Sequence, residues 1–114
     1  MIQLGYFTMD TENVEKARAF YSALFGWTFD EAESHPNYAH VAGGQPSFGF
    51  TKVERAKANS HLYFRVEDVE RLCARVVELG GKAAIPSETP SGITAVVSDD
   101  QGVSFSLWQP APGF

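Results

Sequence analysis

The side chains best suited to hold a small molecule alternate along short apolar segments of this chain. Three of them, His61, Tyr63 and Arg65, occupy every second position of one segment, and similar alternation occurs near both ends of the sequence. Because alternate residues of a β-strand point to the same side of a sheet, each set would share one face. The candidate ligand-binding residues are Tyr6, His61, Tyr63, Arg65, Ser106 and Trp108.

Arg65 and Tyr63 form the pair with the clearest binding chemistry. A guanidinium group holds carboxylate or phosphate with two parallel hydrogen bonds, and a phenol ring packs against a planar ligand. Arg65 could instead form a salt bridge with Glu67, two residues further on. Trp108 is interpreted as an aromatic residue of a pocket or of a dimer interface.

Two histidines, His61 and His40, could each have more than one role. His61 could be a metal ligand, a general base, a ligand contact or a structural strand residue, and its titration near neutral pH could modulate binding. His40 shares strand parity with Tyr38, so it either lines a cavity or lies on the surface. Spacing indicates no Ser-His-Asp or Cys-His arrangement, so the catalytic residues stay unknown.

The two halves of the chain repeat each other. Leu4 to Met9 matches His61 to Val66, and Ser47 to Phe50 matches Ser104 to Leu107. Both alignments have the same offset, since 61 − 4 and 106 − 49 both equal 57. An internal repeat of this kind predicts duplicated structural modules.

Each half has the pattern of a βαβββ module. Asn13 and Asp68 precede helical apolar stripes as N-caps, and Gly26 and Gly80 end them. Cys73 lies in the second stripe and is predicted to be a buried, inert thiol. The predicted helices are 14–25 and 69–79; the predicted strands are 2–9, 27–33, 38–42, 47–53, 61–66, 82–85, 93–98 and 103–109, with a loop at 86–92. We expect a single domain, 1–114, made of modules 1–54 and 60–110 joined by a linker, 55–59.

The two faces of the predicted strands differ in chemistry. One face carries large apolar groups such as Phe7, Phe48 and Phe105 and should pack against the helices. The other face mixes rings, hydroxyls and charges. Large rings are costly to leave in water, so this composition favours a concave binding surface.

Composition limits the classes of partner. The chain has 114 residues, of which 44% are hydrophobic, enough for one compact core. The formal charge of −5 without a basic cluster argues against nucleic acid. No run reaches the roughly 18–20 apolar residues of a membrane span, and no secretory signal pattern opens the chain. The single cysteine fits a reducing cytoplasm.

The repeat and its local motifs resemble the vicinal oxygen chelate superfamily, which includes glyoxalase I, extradiol dioxygenases and bleomycin-resistance proteins. The matching segments are residues 19–27 (AFYSALFGW), 76–81 (VVELGG), 99–102 (DDQG) and 107–110 (LWQP). The resemblance covers nearly the whole chain. It implies an α+β fold in which two tandem βαβββ modules form a curved mixed sheet around a cavity, and it implies a homodimer.

The resemblance also implies where a metal would bind. Metal-dependent members take His, Gln or Glu ligands from the first and last strands of each module, at positions matching Leu4, Gly49, His61 and Ser106. Histidine alone among these is a good ligand, and a lone histidine does not hold a divalent ion. We therefore expect no metal or other cofactor, with a divalent ion at His61 as the alternative.

These expectations lead to a metal-independent small-molecule-binding protein of the glyoxalase/bleomycin-resistance type that sequesters a hydrophobic or aromatic ligand. The alternative is a metal-dependent lyase or dioxygenase with unrecognised ligands such as Gln3 or His40, or a metal-independent enzyme using His61 or Tyr63 as acid or base. A third alternative is an interaction module whose aromatic face contacts protein.

Overall fold

The computed structural model describes residues 6–55 and 62–114. The chain forms two compact units, one within residues 1–56 and one within residues 57–114. The elements are β1 (Tyr6–Thr11), α1 (Val14–Phe25), β2 (Tyr38–His40), β3 (Ser47–Lys52), β4 (Tyr63–Arg65), α2 (Val69–Glu78), β5 (Lys82–Ala83), β6 (Ser87–Thr89), β7 (Gly92–Ser98) and β8 (Ser104–Pro110). Among the described residues, neither helix is long and apolar enough to cross a lipid bilayer.

The first unit is a three-stranded sheet with one helix on it. The strand order is β1-β3-β2, with β1 parallel and β2 antiparallel to β3. Met9 and Phe50 are each 1% exposed, and they belong to the core beneath α1. Rings dominate this core: the centroid of Tyr21 is 4.7 Å from that of Phe50.

Helix α1 starts and ends where the sequence predicts. The side chain of Asn13 accepts a hydrogen bond from the Lys16 N–H at 3.1 Å, which satisfies one of the free donors of the first turn. Gly26 ends the helix with φ of 75°, a left-handed conformation that glycine adopts without steric cost. The two caps therefore define both ends of α1, whose buried residues include Ala17, Phe20 and Tyr21.

The second unit has strands in the order β4-β8-β7-β5, with β6 pairing to the start of β7. Asp68 caps α2 by accepting from the Arg71 N–H at 3.1 Å, and the Gln109 side chain accepts from the Val69 N–H at 3.0 Å. Phe105 and Leu107 are fully buried in the core of this unit. The α+β class and the two-module order predicted from the sequence are confirmed.

The segment predicted as a strand at 27–33 is different in the structure. Phe29 makes one isolated antiparallel bridge to Val41, and the chain then enters a short 3₁₀ helix at Glu31–Glu33. The Asp30 side chain caps this turn by accepting from the Ala32 N–H at 3.1 Å. The guanidinium of Arg18 pairs with Glu31, which holds the turn against α1.

The predicted loop at 86–92 contains a strand. Residues Ser87–Thr89 form β6, which pairs antiparallel with the start of β7. Its side chains are polar and exposed, so they carry no apolar alternation that would mark a strand. The predicted strand at 61–66 is observed as Tyr63–Arg65; residues 1–5 and 56–61, which include most of the predicted linker, lie outside the described part of the chain.

Candidate functional site

The open face of the first sheet, opposite α1, carries an aromatic group. In the register of the three strands, Thr8 and His40 both lie opposite Gly49, and Tyr38 lies opposite Thr51. Tyr6, two residues before Thr8, therefore points to the same side as His40. The predicted site residue Tyr6 is thus joined by two residues of β2, Tyr38 and His40.

These three side chains form a continuous hydrogen-bond chain, here called the Tyr6–Tyr38–His40 relay. The Tyr6 and Tyr38 hydroxyls are hydrogen bonded to each other, and the Tyr38 hydroxyl lies 2.6 Å from His40 Nδ1. The rings of Tyr6 and His40 are nearly parallel, with centroids 6.2 Å apart and a 10° interplanar angle. Tyr6 is 47% exposed, so the relay opens to solvent at its phenol end.

Tyr38 is the middle of the relay and stays neutral. Burial is the main cause that raises its pKa well above the ordinary value for a tyrosine. The hydrogen bond with Tyr6 and the negative charge of Glu33 raise the pKa further. A neutral phenol can donate one hydrogen bond and accept another at the same time.

The backbone of β2 is held on its outer edge. The His40 N–H donates to Ser34 Oγ at 2.9 Å, and the Ser34 hydroxyl donates to the Asp30 carbonyl at 2.7 Å. The Asp30 N–H in turn donates to the His40 carbonyl at 2.9 Å. The histidine at the end of the relay therefore sits on a fixed backbone.

Gly49 makes room for the relay. A Cβ atom built at this position would lie 2.5 Å from the Tyr38 hydroxyl oxygen and 2.6 Å from the Ala39 carbonyl oxygen. Both distances are far below van der Waals contact. The Tyr38 ring consequently occupies the space above β3 that a side chain at position 49 would use.

The open face of the second sheet gathers four of the predicted residues. Tyr63 lies opposite Ser106, and Arg65 lies opposite Trp108, on the parallel pair of β4 and β8. Tyr63 is 60% exposed, whereas Ser106 is 1% exposed. Tyr63, Arg65 and Trp108 thus offer surface to a ligand, while Ser106 lies beneath it.

Arg65 contacts an aromatic ring and a backbone oxygen. Its guanidinium carbon lies 5.5 Å from the Trp108 ring centroid, within the range of a cation–π contact. Its Nη1 donates to the Phe114 carbonyl at 3.1 Å. The indole N–H of Trp108 donates to the Ser91 carbonyl at 3.1 Å, which fixes the plane of the ring.

An open hollow of about 600 Å³ has Arg65 in its lining. Here called the Arg65 hollow, it is also lined by Glu67 and Gln109. The remaining lining residues are Val66, Pro110, Ala111, Pro112, Gly113 and Phe114. Its volume is that of a site for a small organic ligand, and Arg65 supplies a positive charge to its lining.

The structure brings the predicted residues together in two sets. Tyr63, Arg65, Ser106 and Trp108 share one face of the second sheet, and Tyr6 belongs to the first. His61 lies outside the described residues, so its predicted roles stay predictions. Tyr38 was missing from the predicted site; the signal that could have found it is its parity with His40 in a strand paired to Gly49.

The two described positions that match family metal ligands do not fit a divalent cation. Gly49 has no side chain and its space is filled by Tyr38, and Ser106 offers a buried neutral hydroxyl. Across residues 6–55 and 62–114, no group of three His, Cys, Asp or Glu side chains could hold a metal ion. Leu4 and His61, the other two positions, lie outside these ranges.

Cys73 has the properties of a buried thiol. Its side chain belongs to the apolar stripe of α2 and is 8% exposed. Burial raises the pKa of this thiol, and the nearby negative charge of Glu70 raises it further. A thiol that stays protonated is a poor nucleophile and a poor metal ligand.

Sequence comparison connects both units to known proteins. A family model described as a glyoxalase-like domain matches residues 6–108. A protein named "Putative glyoxylase CFP32" from Mycobacterium bovis is 34% identical over 109 residues, which cover 90% of this chain and 42% of the mycobacterial protein. The chain therefore spans less than half the length of this curated relative.

Solved structures share the fold. TnmS3, an antibiotic binding protein from Streptomyces sp. CB03234, superposes with a TM-score of 0.78 at 25% identity, covering 97% of this chain and 98% of TnmS3. The bleomycin-binding protein from Streptomyces verticillus, solved with copper(II)-bleomycin, has a TM-score of 0.70 at 18% identity, covering 97% of this chain and all of the other.

Proposed function

The chain belongs to the glyoxalase-like domain family, and we propose that within it this protein is a metal-independent binder of a hydrophobic or aromatic small molecule. The observation that carries the proposal is the Arg65 side chain, which lies over the Trp108 ring and also lines an open hollow of about 600 Å³. A guanidinium over an indole offers a flat apolar surface and a positive charge together. That combination suits a planar ligand with an anionic group.

The chemistry at Gly49 supports binding without a metal. The Tyr38 ring stands where a ligating side chain of the last strand of this unit would project. Ser106, at the matching position of the second unit, offers a neutral hydroxyl, which is a weak ligand for zinc, nickel or iron. The proposed binding therefore uses no bound ion.

The relatives add support of two kinds. TnmS3 carries the description of an antibiotic binding protein and shares a quarter of its residues with this chain. The Streptomyces verticillus protein binds bleomycin on the same fold, which shows that the fold can hold an organic molecule. Neither of these names identifies the ligand of the present protein.

A fluorescence titration tests the proposal. The protein is stripped of metals with a chelator, its metal content is checked by elemental analysis, and 1-naphthoate is added as a planar aromatic anion. We expect saturable quenching of tryptophan emission in wild type and at least about tenfold weaker binding in Arg65→Met, since a charged hydrogen bond contributes about 1.5–3 kcal/mol. Naphthalene is the uncharged comparison probe.

Arg71→Met is the matched control, because Arg71 is exposed on α2 and outside the Arg65 hollow. This variant should bind 1-naphthoate like wild type. Absence of saturable binding by both 1-naphthoate and naphthalene would contradict the proposal. If binding of 1-naphthoate weakened equally in the Arg65 and Arg71 variants, general charge attraction and not the Arg65 hollow would explain the binding.

The alternative function is a metal-dependent lyase or dioxygenase, and the name of the mycobacterial relative is the observation in its favour. Because the chain spans only 42% of the mycobacterial protein, assigning the activity of that whole protein to this chain is a proposal. This alternative would be favoured if purified protein bound a stoichiometric amount of nickel, zinc or iron and showed lyase or dioxygenase turnover when the metal was added.

Homodimerisation, a cytoplasmic location and the absence of nucleic-acid partners stay predictions.

A further inference from the structure

The Arg65 hollow contains charges of both signs. Arg65 and Glu67 both line it, and both residues are exposed. Among residues 6–55 and 62–114, the ion pairs lie elsewhere, on α1 and α2, and none joins Arg65 to Glu67. The salt bridge that the sequence allowed between these two residues is therefore absent, and each charge can meet a group on a ligand.

Arg65 keeps several hydrogen-bond donors for an anionic group. A guanidinium carries five N–H donors in a fixed, planar arrangement. Within the described ranges Arg65 makes one hydrogen bond, from Nη1 to the Phe114 carbonyl at 3.1 Å. The remaining donors can therefore bind a carboxylate, which a guanidinium holds with two parallel hydrogen bonds.

Gln109 and Glu67 offer opposite hydrogen-bonding groups to the hollow. The Gln109 Oε1 atom accepts from the Val69 N–H at 3.0 Å, so the group that this side chain has left for a ligand is its N–H₂. That group donates, and it suits the same carboxylate as Arg65. The ionised carboxylate of Glu67 only accepts, so it suits a donor that carries positive charge, such as an ammonium group.

We propose that the Arg65 hollow takes a zwitterionic aromatic molecule, in which a carboxylate and an ammonium group lie a few bonds apart, as in an aromatic α-amino acid. This ligand class rests on the binding function proposed above and adds a cationic group to its ligand. The carboxylate binds Arg65, and the ammonium group binds Glu67. The aromatic ring packs against the apolar part of the lining, which includes Val66, Pro110 and Pro112.

Electrostatics favour a ligand with both charges over a ligand with one. Arg65 and Glu67 are two positions apart in the sequence and line the same hollow, so a ligand beside one of them is also near the other. A simple anion is attracted by Arg65 and repelled by Glu67, and the reverse holds for a simple cation. A zwitterion can place each of its charges beside the opposite charge. Because both residues are exposed, water screens each pair and its contribution to affinity is modest, about fivefold at most.

Calorimetric titration at neutral pH and low salt with three probes that share one ring system tests the ligand class. The probe 3-(1-naphthyl)alanine carries both charges, 3-(1-naphthyl)propionate carries only the carboxylate, and 2-(1-naphthyl)ethylamine carries only the ammonium group. We expect wild type to bind naphthylalanine about fivefold more tightly than either of the other two probes. This comparison uses the unaltered protein, so it does not depend on the folding of any variant.

Variants identify the partner of each ligand charge. In Glu67→Gln the preference for naphthylalanine over naphthylpropionate should fall below about twofold, because an amide carries no charge to attract the ammonium group. In Arg65→Met the preference for naphthylalanine over naphthylethylamine should fall in the same way. Glu70→Gln is the matched control and should keep both preferences, because Glu70 is exposed on α2 and outside the Arg65 hollow.

Each other outcome overturns a stated claim. If wild type binds a singly charged probe as tightly as naphthylalanine, the zwitterionic ligand class is wrong and the proposed binding function stands. Failure of all three probes while 1-naphthoate binds has the same meaning. A preference that persists in Glu67→Gln, or that is lost equally in Glu70→Gln, removes Glu67 as the partner of the ammonium group and overturns the inference. Failure of all three probes together with 1-naphthoate and naphthalene overturns the binding function and the ligand class with it.

Discussion

The ring of Tyr38 fills the space above Gly49. The Tyr38 Cζ atom would lie 2.6 Å from a Cβ atom at position 49, so the two positions cannot both carry large side chains. This relation connects two features of the first unit. It leaves the last strand without a side chain at a position where the sequence resemblance predicts a metal ligand, and it lets Tyr38 reach both Tyr6 and His40.

Gly49→Ala tests this relation directly. The added methyl group would collide with the Tyr38 ring and with the Ala39 carbonyl, so we expect the free energy of unfolding to fall by about 1–3 kcal/mol, the usual cost of overpacking. Urea unfolding followed by circular dichroism measures the change. Ser47→Ala, on the same strand and exposed, should change stability by less than about 0.5 kcal/mol. An unchanged stability in Gly49→Ala would contradict the packing.

Tyr38 should make stability fall at alkaline pH. Because its pKa is raised on folding, the unfolded chain loses this proton first as the pH rises above the ordinary value of about 10. The stabilisation is complete below that pH and is lost as the pH rises through the folded pKa. Ultraviolet titration of phenolates should show one tyrosine ionising late in wild type and missing in Tyr38→Phe. Late ionisation that persists in Tyr38→Phe would assign it to another residue.

The N-cap of α2 is a third measurable feature. Asp68→Ala removes the acceptor of the Arg71 N–H, and we expect unfolding free energy to fall by about 1 kcal/mol. Asp68→Asn keeps an acceptor of the same size, so it should retain most of the stability. Equal losses in the alanine and asparagine variants would show that the charge of Asp68, and not its hydrogen bond, stabilises the helix.

Cys73 should resist thiol reagents in the folded protein. Its burial and the charge of Glu70 keep the thiol protonated at neutral pH, and the thiolate is the reactive form. We expect reaction with a disulfide reagent to be at least about tenfold slower in native protein than in urea-unfolded protein. As with Tyr38, the raised pKa favours folding below the ordinary thiol pKa and that contribution is lost at higher pH. Equal rates in both states would place the thiol on the surface.

The fold was largely predictable because its main signals are local. The side chains of Asn13 and Asp68 accept hydrogen bonds from backbone N–H groups three residues away, so their types and positions predict where each helix begins. Strand alternation likewise placed Phe48 and Phe105 in the cores, because side-chain direction depends only on parity. These features need no information from distant parts of the chain.

The errors lie where contacts across the chain decide the structure. The segment at 27–33 alternates like a strand, yet Arg18 of α1 holds Glu31 in a turn. The strand at Ser87–Thr89 forms because its backbone pairs with β7, and its polar side chains give no sign of this. A sequence pattern reports only the types of neighbouring side chains. The turn at Glu31 and the strand at Ser87–Thr89 each depend on a contact with a distant segment, which the pattern does not reveal.

The candidate site shows the same limit. Parity predicts that Tyr6, Tyr63, Arg65 and Trp108 face the open side of a sheet, and the strand register agrees, while their roles in binding stay predictions. The bond between Tyr6 and Tyr38 depends on the register of β1 and β2 across β3, which the sequence does not determine. The sequence predicts a missing metal ligand at Gly49, whereas the space that Gly49 leaves for Tyr38 depends on the pairing of β2 with β3.

Calorimetric titration of 1-naphthoate into the chelator-treated protein, repeated after adding nickel or zinc, separates metal-free binding from metal-dependent binding. We expect a saturable binding enthalpy in the metal-free protein and the same dissociation constant after either metal is added. Binding that appears only when a stoichiometric metal ion is present would overturn the proposed metal-independent function.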